Sequence, residues 1–267
     1  MKNKLEIDRI CKRYGEGTGN STVLALDQIS VSVRAGEFVS LLGPSGCGKS
    51  TLLYMIAGFE KATNGQIRVD GRLVTGPGAD RGMVFQDYAL FPWRTLLQNV
   101  MFGLERGGLP QGQRMETARQ YIAMVGLTGF ESSYPHQLSG GMRQRCALAR
   151  SVANNPDILL MDEPLAAIDA LTRNTLQEEI LKVCAERGAQ KRKTVLYVTH
   201  AIDEAIFLSD RIVLMTPRPG RLLEIIDVPF GSERNDATRM QPEFQSLMGR
   251  IWQTLKIHMT PEVGTIR

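Results

Sequence analysis

The stretch FVSLLGPSGCGKSTLLYMIAG at 38–58 compels a strand, a glycine-rich turn and a helix in immediate succession. Phe38–Leu42 is a mostly apolar run of strand length. Residues 50–57 suit a helix, closed by Gly58 as a C-terminal stop. Between them GPSGCGKS matches G-x-x-x-x-G-K-S/T in the setting that motif requires. Gly43, Gly46 and Gly48 let the backbone fold into a nest of N–H groups facing an anion, and the helix start adds its positive end. Gly43, Pro44, Ser45, Gly46, Cys47 and Gly48 therefore form a candidate cradle for nucleotide phosphates. Lys49 is expected at the β- and γ-phosphates, in a catalytic as well as a binding role, with Ser50 on Mg2+ and Thr51 on the α-phosphate.

A complement follows at ILLMDEP, 158–164, an apolar strand that delivers two acids at its C-terminal end. Open α/β sheets bind ligands at those ends. Asp162 is expected to hold Mg2+, directly or through water, and Glu163 to polarise the water attacking the γ-phosphate. Short apolar strands at 158–161, 195–198 and 212–215, separated by helical segments, imply parallel strands covered on both faces, an α/β layer.

The first third is β-rich, with the alternation Ile29, Val31, Val33. From about 88 to 152 the chain turns helical and irregular, with Met115, Ala118, Ile122 and Val125 at helical spacing, as an inserted helical subdomain would be. The expected organisation is one domain over 1–230 and a polar tail over 231–267, where Phe244, Leu247 and Ile251 predict a terminal helix.

Lys plus Arg exceeds Asp plus Glu by only 32 to 28, and no dense basic stripe appears, which argues against nucleic acid as a partner. The run KRK at 191–193 reads as a solvated loop. Four scattered cysteines without a C-x-x-C pair suggest neither zinc nor a disulfide framework and fit a reducing cytosol. No window approaches the ~20 apolar residues that span a bilayer, so at a membrane another chain must cross it.

LSGGMRQR at 138–145 makes a second anion-receiving helix start, with Ser139 as N-cap and Gly140 and Gly141 behind it, yet without a lysine. Alone it would bind phosphate weakly. It fits better as the completion of a pocket assembled elsewhere.

In this order GPSGCGKST, Gln86, LSGG, LLMDEP, the acidic loop ending at Asp169 and the histidine of VTH at 200 resemble ATP-binding cassette (ABC) transporter ATPases, over residues 1 to about 228. The resemblance implies a P-loop NTPase (RecA-like) core with an antiparallel β subdomain and an inserted helical subdomain. It also implies a head-to-tail homodimer, or a pair with a close paralogue, in which the P-loop of one subunit and the LSGG of the other sandwich each ATP. Ser139 and Gly141 would then contact the γ-phosphate, with Gly140 and Asp169 at the same nucleotide. Tyr14 would stack on adenine, Gln86 would sense Mg2+ and the attacking water, and His200 would hydrogen-bond the γ-phosphate. Two departures stand out: Met142 replaces the family's usual Gln and cannot return a capping-box bond to Ser139, and Ala166 lacks a hydroxyl many members carry.

GPGADRGMVFQ at 76–86, LFPWRTLLQNV at 90–100, LSGGMRQR and TPRPGR at 216–221 resemble the nitrate, sulfonate and taurine importer group. That implies an ATP-hydrolysing subunit at the cytoplasmic face of the plasma membrane, serving integral membrane permease subunits and, through them, an extracytoplasmic solute-binding protein. Phe91, Pro92 and Trp93 would form the apolar groove for the permease. The alternatives are an importer of another class and a DNA-maintenance ATPase. The latter would need a long coiled coil between Lys49 and Ser139, where no heptad run exists. A small-molecule kinase leaves LSGG, Gln86 and His200 unexplained.

Overall fold

Strands without polar alternation belong inside a structure, and the computed structural model puts them there: all five residues of β3 (Phe38–Leu42) and of β7 (Ile158–Asp162) are buried. Residues 3–15, 22–105, 108–166, 168–185, 192–231 and 233–259 are described. Most of the loop after Tyr14, Ala167 of the AAID stretch, Lys191 and residues 260–267 of the tail lie outside them. The chain divides into two compact units, Met1–Gly76 with Val198–Arg267, and Pro77–Tyr197.

In the first unit β1 (Asn3–Tyr14) runs antiparallel to β2 (Val23–Arg34) and to β4 (Asn64–Val69), and with β5 (Arg72–Leu73) they form a sheet ordered β2-β1-β4-β5. Ile29, Val31 and Val33 of β2 are buried while Ser30 and Ser32 are exposed, the period-two pattern of a half-covered sheet. β3 pairs in parallel with β9 (Arg211–Met215), and β9 in antiparallel with β10 (Leu222–Asp227). β3 leads into α1 (Lys49–Ala57), which Gly58 ends in a left-handed conformation.

The end of the first unit is organised around α6 (Ile202–Leu208), which packs on β3 and on α8 (Pro242–Met259). Of the three residues whose spacing predicts this helix, Phe244 and Ile251 are buried and Leu247 is half-buried. Helix ends leave carbonyls without intrahelical partners. Here Arg234 takes them. Its guanidinium donates to the carbonyl oxygens of Ile206 at 2.9 Å, Phe207 at 2.9 Å and Ser209 at 2.8 Å, and also to those of Phe230 and Gly231. At the end of α7 (Asp236–Arg239), the Arg239 guanidinium carbon lies 3.6 Å from the ring centroid of Phe207. The tail is thus tied to the α6 terminus by cations acting on backbone and ring.

In the second unit β6 (Arg81–Val84) runs parallel to β7, with β8 (Thr194–Thr199) next in order. Three helices pack on one another: α2 (Leu96–Leu104), α3 (Gln111–Met124) and α4 (Gly140–Ala153). α2 opens with a capping box between Thr95 and Gln98. Buried Asn99 holds the preceding loop, accepting from the Phe91 N–H at 2.8 Å and donating to the carbonyls of Phe91, Arg94 and Thr95. α5 (Ala170–Cys184) follows β7. Lys193 of the KRK run is half-exposed and donates to the Asn155 side chain and, at 3.3 Å, to the Pro156 carbonyl. No helix among the described residues is long and apolar enough to cross a membrane.

Removing the Arg234 fork leaves several buried carbonyls unmet. Arg234→Ala should cost about 3 kcal/mol in urea unfolding. Arg234→Lys should recover only part of it, because an ammonium cannot reproduce the fork.

Candidate functional site

The candidate residues fall into two groups, one in each unit. In the first, Gly48 is the N-cap of α1 at φ 101°, a conformation that favours glycine. A β-carbon there would also stand 2.6 Å from Cδ2 of Leu26, so the loop backbone lies directly on β2. Lys49, only 4% exposed, donates from Nζ to the carbonyls of Gly43 at 2.8 Å and Pro44 at 2.9 Å, and its ammonium bridges the loop. α1 has neither a capping side chain at Gly48 nor an acid in its first turn, the kind of helix start that suits an anion. Pro44, Ser45 and Gly46 form the outer turn, with Ser45 and Gly46 exposed; buried Cys47 closes it, and Ser50 and Thr51 sit half-buried in the first turn of α1.

Tyr14 ends β1 with its ring 41% exposed and its hydroxyl 3.5 Å from Oγ1 of Thr51. The strand end therefore stands beside the start of α1, and Lys12 Nζ lies 4.8 Å from the tyrosine ring centroid. His200 follows β8 and is exposed. The turn that carries it is locked, since the Thr199 hydroxyl donates to Glu204 at 2.8 Å and accepts the Ala201 N–H at 3.0 Å.

In the second unit Val84 pairs with Met161, so the parallel strands β6 and β7 end at one edge. Gln86, exposed, comes two residues beyond the first, and Asp162 and Glu163 end the second. Asp162 is 2% exposed, and Glu163 takes φ 41°, a left-handed conformation costing a non-glycine residue about 1 kcal/mol or more. The backbone thus breaks sharply from the strand at the acid.

Ser139 is exposed and caps α4, its Oγ accepting the Met142 N–H at 3.3 Å. Gly140 and Gly141 form the first turn, and a β-carbon on Gly141 would stand 3.2 Å from Thr172 of α5. Asp169 caps α5 in the same manner, accepting the Thr172 N–H at 3.0 Å. Two capped helix starts therefore adjoin.

One residue escaped the sequence reading. Arg150, in the last turn of α4, donates to the carbonyls of Ala89 at 2.6 Å and Tyr88 at 2.9 Å, and Ser151 donates to Met83 at 2.7 Å. Both Tyr88 and Ala89 have positive φ, at 59° and 48°. The helix that begins with LSGG thus ends by gripping the loop that follows Gln86. The available signal was an arginine inside the apolar run CALARSVA.

The described cysteines are all buried, and burial pushes the thiols of Cys146 and Cys184 up to about 12, so neither is a thiolate nucleophile at neutral pH. Mg2+ takes oxygen ligands and is held by one or two protein groups together with phosphates. The Ser50 hydroxyl and the Asp162 carboxylate match that chemistry.

A family profile described as ABC transporter matches residues 26–166. An uncharacterised ABC transporter ATP-binding protein of Methanocaldococcus jannaschii is 52% identical over 96% of this chain and 92% of its own length. A taurine import ATP-binding protein of Roseobacter denitrificans is 42% identical over 93% of this chain and 94% of its own. A nitrate import ATP-binding protein of Synechocystis is 43% identical over 92% and 93% respectively. Among solved structures, a dimeric ATP-binding cassette in a post-hydrolysis state with ADP and Pi superposes with a TM-score of 0.73 at 32% identity, covering 85% of this chain and all of that one. The chain belongs to the ABC transporter family, with its α/β P-loop NTPase fold.

The α4 cap yields a paired expectation. Ser139→Ala should lower stability by about 1 kcal/mol, and Met142→Gln should raise it by a few tenths by restoring the second bond of the capping box. Chemical unfolding of the two variants measures both.

Proposed function

We propose that this chain is the ATP-hydrolysing subunit of an importer for a small anionic solute of the taurine, nitrate or alkanesulfonate kind. The observation that carries the reading is the pair of unlike helix starts, α1 behind a lysine-bearing loop and α4 behind Ser139 with no lysine. The first suffices to hold a triphosphate. The second needs one already held.

Two copies, or one copy and a close paralogue, then pair head to tail. Gly43 to Thr51 of one copy receive the phosphates on backbone N–H groups, with Lys49 at the β- and γ-phosphates, while Ser139, Gly140 and Gly141 of the other close over the γ-phosphate. Tyr14 stacks on the adenine, as its exposed ring beside Thr51 allows. Ser50 and Asp162 would hold Mg2+, which when bound neutralises charge on the phosphates, and Gln86 orients at the same centre. Glu163 polarises the attacking water, and His200 donates to the γ-phosphate. Asp169 stands at the same nucleotide while capping α5.

The permease meets the second unit at Trp93, which is 71% exposed, beside Phe91 and Phe102. Because Arg150 of α4 holds the carbonyls of Tyr88 and Ala89, closure over ATP is transmitted to the Gln86 loop and the aromatic patch beyond it. The relatives that carry taurine and nitrate in their names support the solute class, at 42% and 43% identity. The subunit works at the cytoplasmic face of the plasma membrane, and an extracytoplasmic solute-binding protein selects the cargo.

The test is reconstitution in vesicles with the cognate permease and binding protein. Taurine, an alkanesulfonate or nitrate should raise ATP hydrolysis and drive uptake, and DNA should not. Glu163→Gln should bind ATP normally while hydrolysis falls by about a hundredfold or more. Stimulation by DNA alone would contradict the importer assignment.

A further inference from the structure

The turn between β9 and β10, TPRPGR at 216–221, has no part in the chemistry proposed above. It lies against the outer side of the phosphate loop. Arg218 Nε donates to the Gly46 carbonyl oxygen at 3.4 Å, and its Nη2 lies 3.6 Å from where a Gly46 β-carbon would stand. Gly220 comes closer still, since a β-carbon there would sit 2.0 Å from the Cys47 carbonyl oxygen. Only glycine fits that approach.

The turn is itself held in place. The Gly220 N–H donates to the Ala25 carbonyl at 2.9 Å, and its carbonyl accepts the Asp27 N–H at 2.9 Å. Arg221 pairs with Asp27 at 2.7 Å, and Thr216 bonds both the Pro219 carbonyl and the Arg221 N–H. Strand β2 therefore fixes the turn, and the turn meets the loop.

In a trans peptide the carbonyl and the following N–H point in opposite directions. The peptide between Gly46 and Cys47 is thus held at both ends: its carbonyl accepts from Arg218, and its N–H donates to the Pro44 carbonyl at 3.4 Å. Without Arg218 that peptide, beside a Gly46 at φ 75° with no side chain, would be held by the single long bond to Pro44. The Cys47 carbonyl lies against Gly220, so the Gly48 N–H of the same peptide points away from the turn.

We propose that the 216–221 turn is a buttress that sets the peptide orientations of the phosphate loop, and that Arg218 is a positioning residue for the phosphates that loop receives. The inference rests on the reading of the loop as an ATP site. Arg218 touches the loop backbone and acts through it.

Arg218 is exposed, so truncating it removes little packing. Arg218→Ala should raise both Kd and KM for ATP about threefold to tenfold, keep kcat within about twofold, and leave the ligand-free melting temperature unchanged. Arg218→Lys, which keeps a donor for the same carbonyl, should recover most of the loss. Unchanged ATP affinity in Arg218→Ala overturns the buttress, and so does weaker binding accompanied by a lower ligand-free melting temperature. Lys49→Ala separates the two readings. If it loses ATP while Arg218→Ala keeps wild-type affinity, only the buttress falls; if the wild-type chain binds no ATP, or Lys49→Ala binds it normally, both fall.

Discussion

The handling of concentrated negative charge by oriented backbone N–H groups is the constraint on which this molecule depends. Such groups bind only when their peptides cannot turn away, and a glycine-rich loop is free to turn. The fold answers with contacts behind the loop: Leu26 against Gly48, Lys49 across Gly43 and Pro44, and the 216–221 turn on Gly46 and Cys47. The second helix start is simpler, since exposed Ser139 caps α4 with a single bond.

A recurring device in both units is an arginine that takes one or more main-chain carbonyls at a turn or helix end. Arg234 closes the end of α6, Arg150 grips Tyr88 and Ala89, Arg143 takes the Leu138 carbonyl beside the α4 cap, and Arg218 takes Gly46. A guanidinium is permanently charged and presents five donors in a rigid plane, which suits it to fixing irregular backbone. Several arginines are therefore spent on architecture. That accounts in part for a basic excess of 32 to 28 that forms no stripe for nucleic acid.

The local features were legible in the sequence. The strand–loop–helix at 38–58, the strand ending in Asp162 and Glu163, the Ser139 cap and the buried face of α8 each depend on neighbours within a few residues. The arginine contacts were not legible, because their partners are main-chain atoms far away: Arg150 meets Ala89 across 61 residues and Arg218 meets Gly46 across 172. A carbonyl has no side-chain identity, so no residue pattern marks such a pair. Asp169, expected from the resemblance at the nucleotide, is observed as the cap of α5, a role that its position directly before a helix allows. Lys193 was read as solvated because its partners, Asn155 and the Pro156 carbonyl, belong to a turn before another strand.

The central claim is that one chain holds half of each catalytic site. Sedimentation of the Glu163→Gln chain with and without saturating ATP tests it most directly. ATP should double the sedimenting mass, and adding Ser139→Arg to the same chain should prevent the doubling without loss of ATP binding. A chain that binds ATP to saturation and stays monomeric, or a Ser139→Arg chain that still doubles, would contradict it.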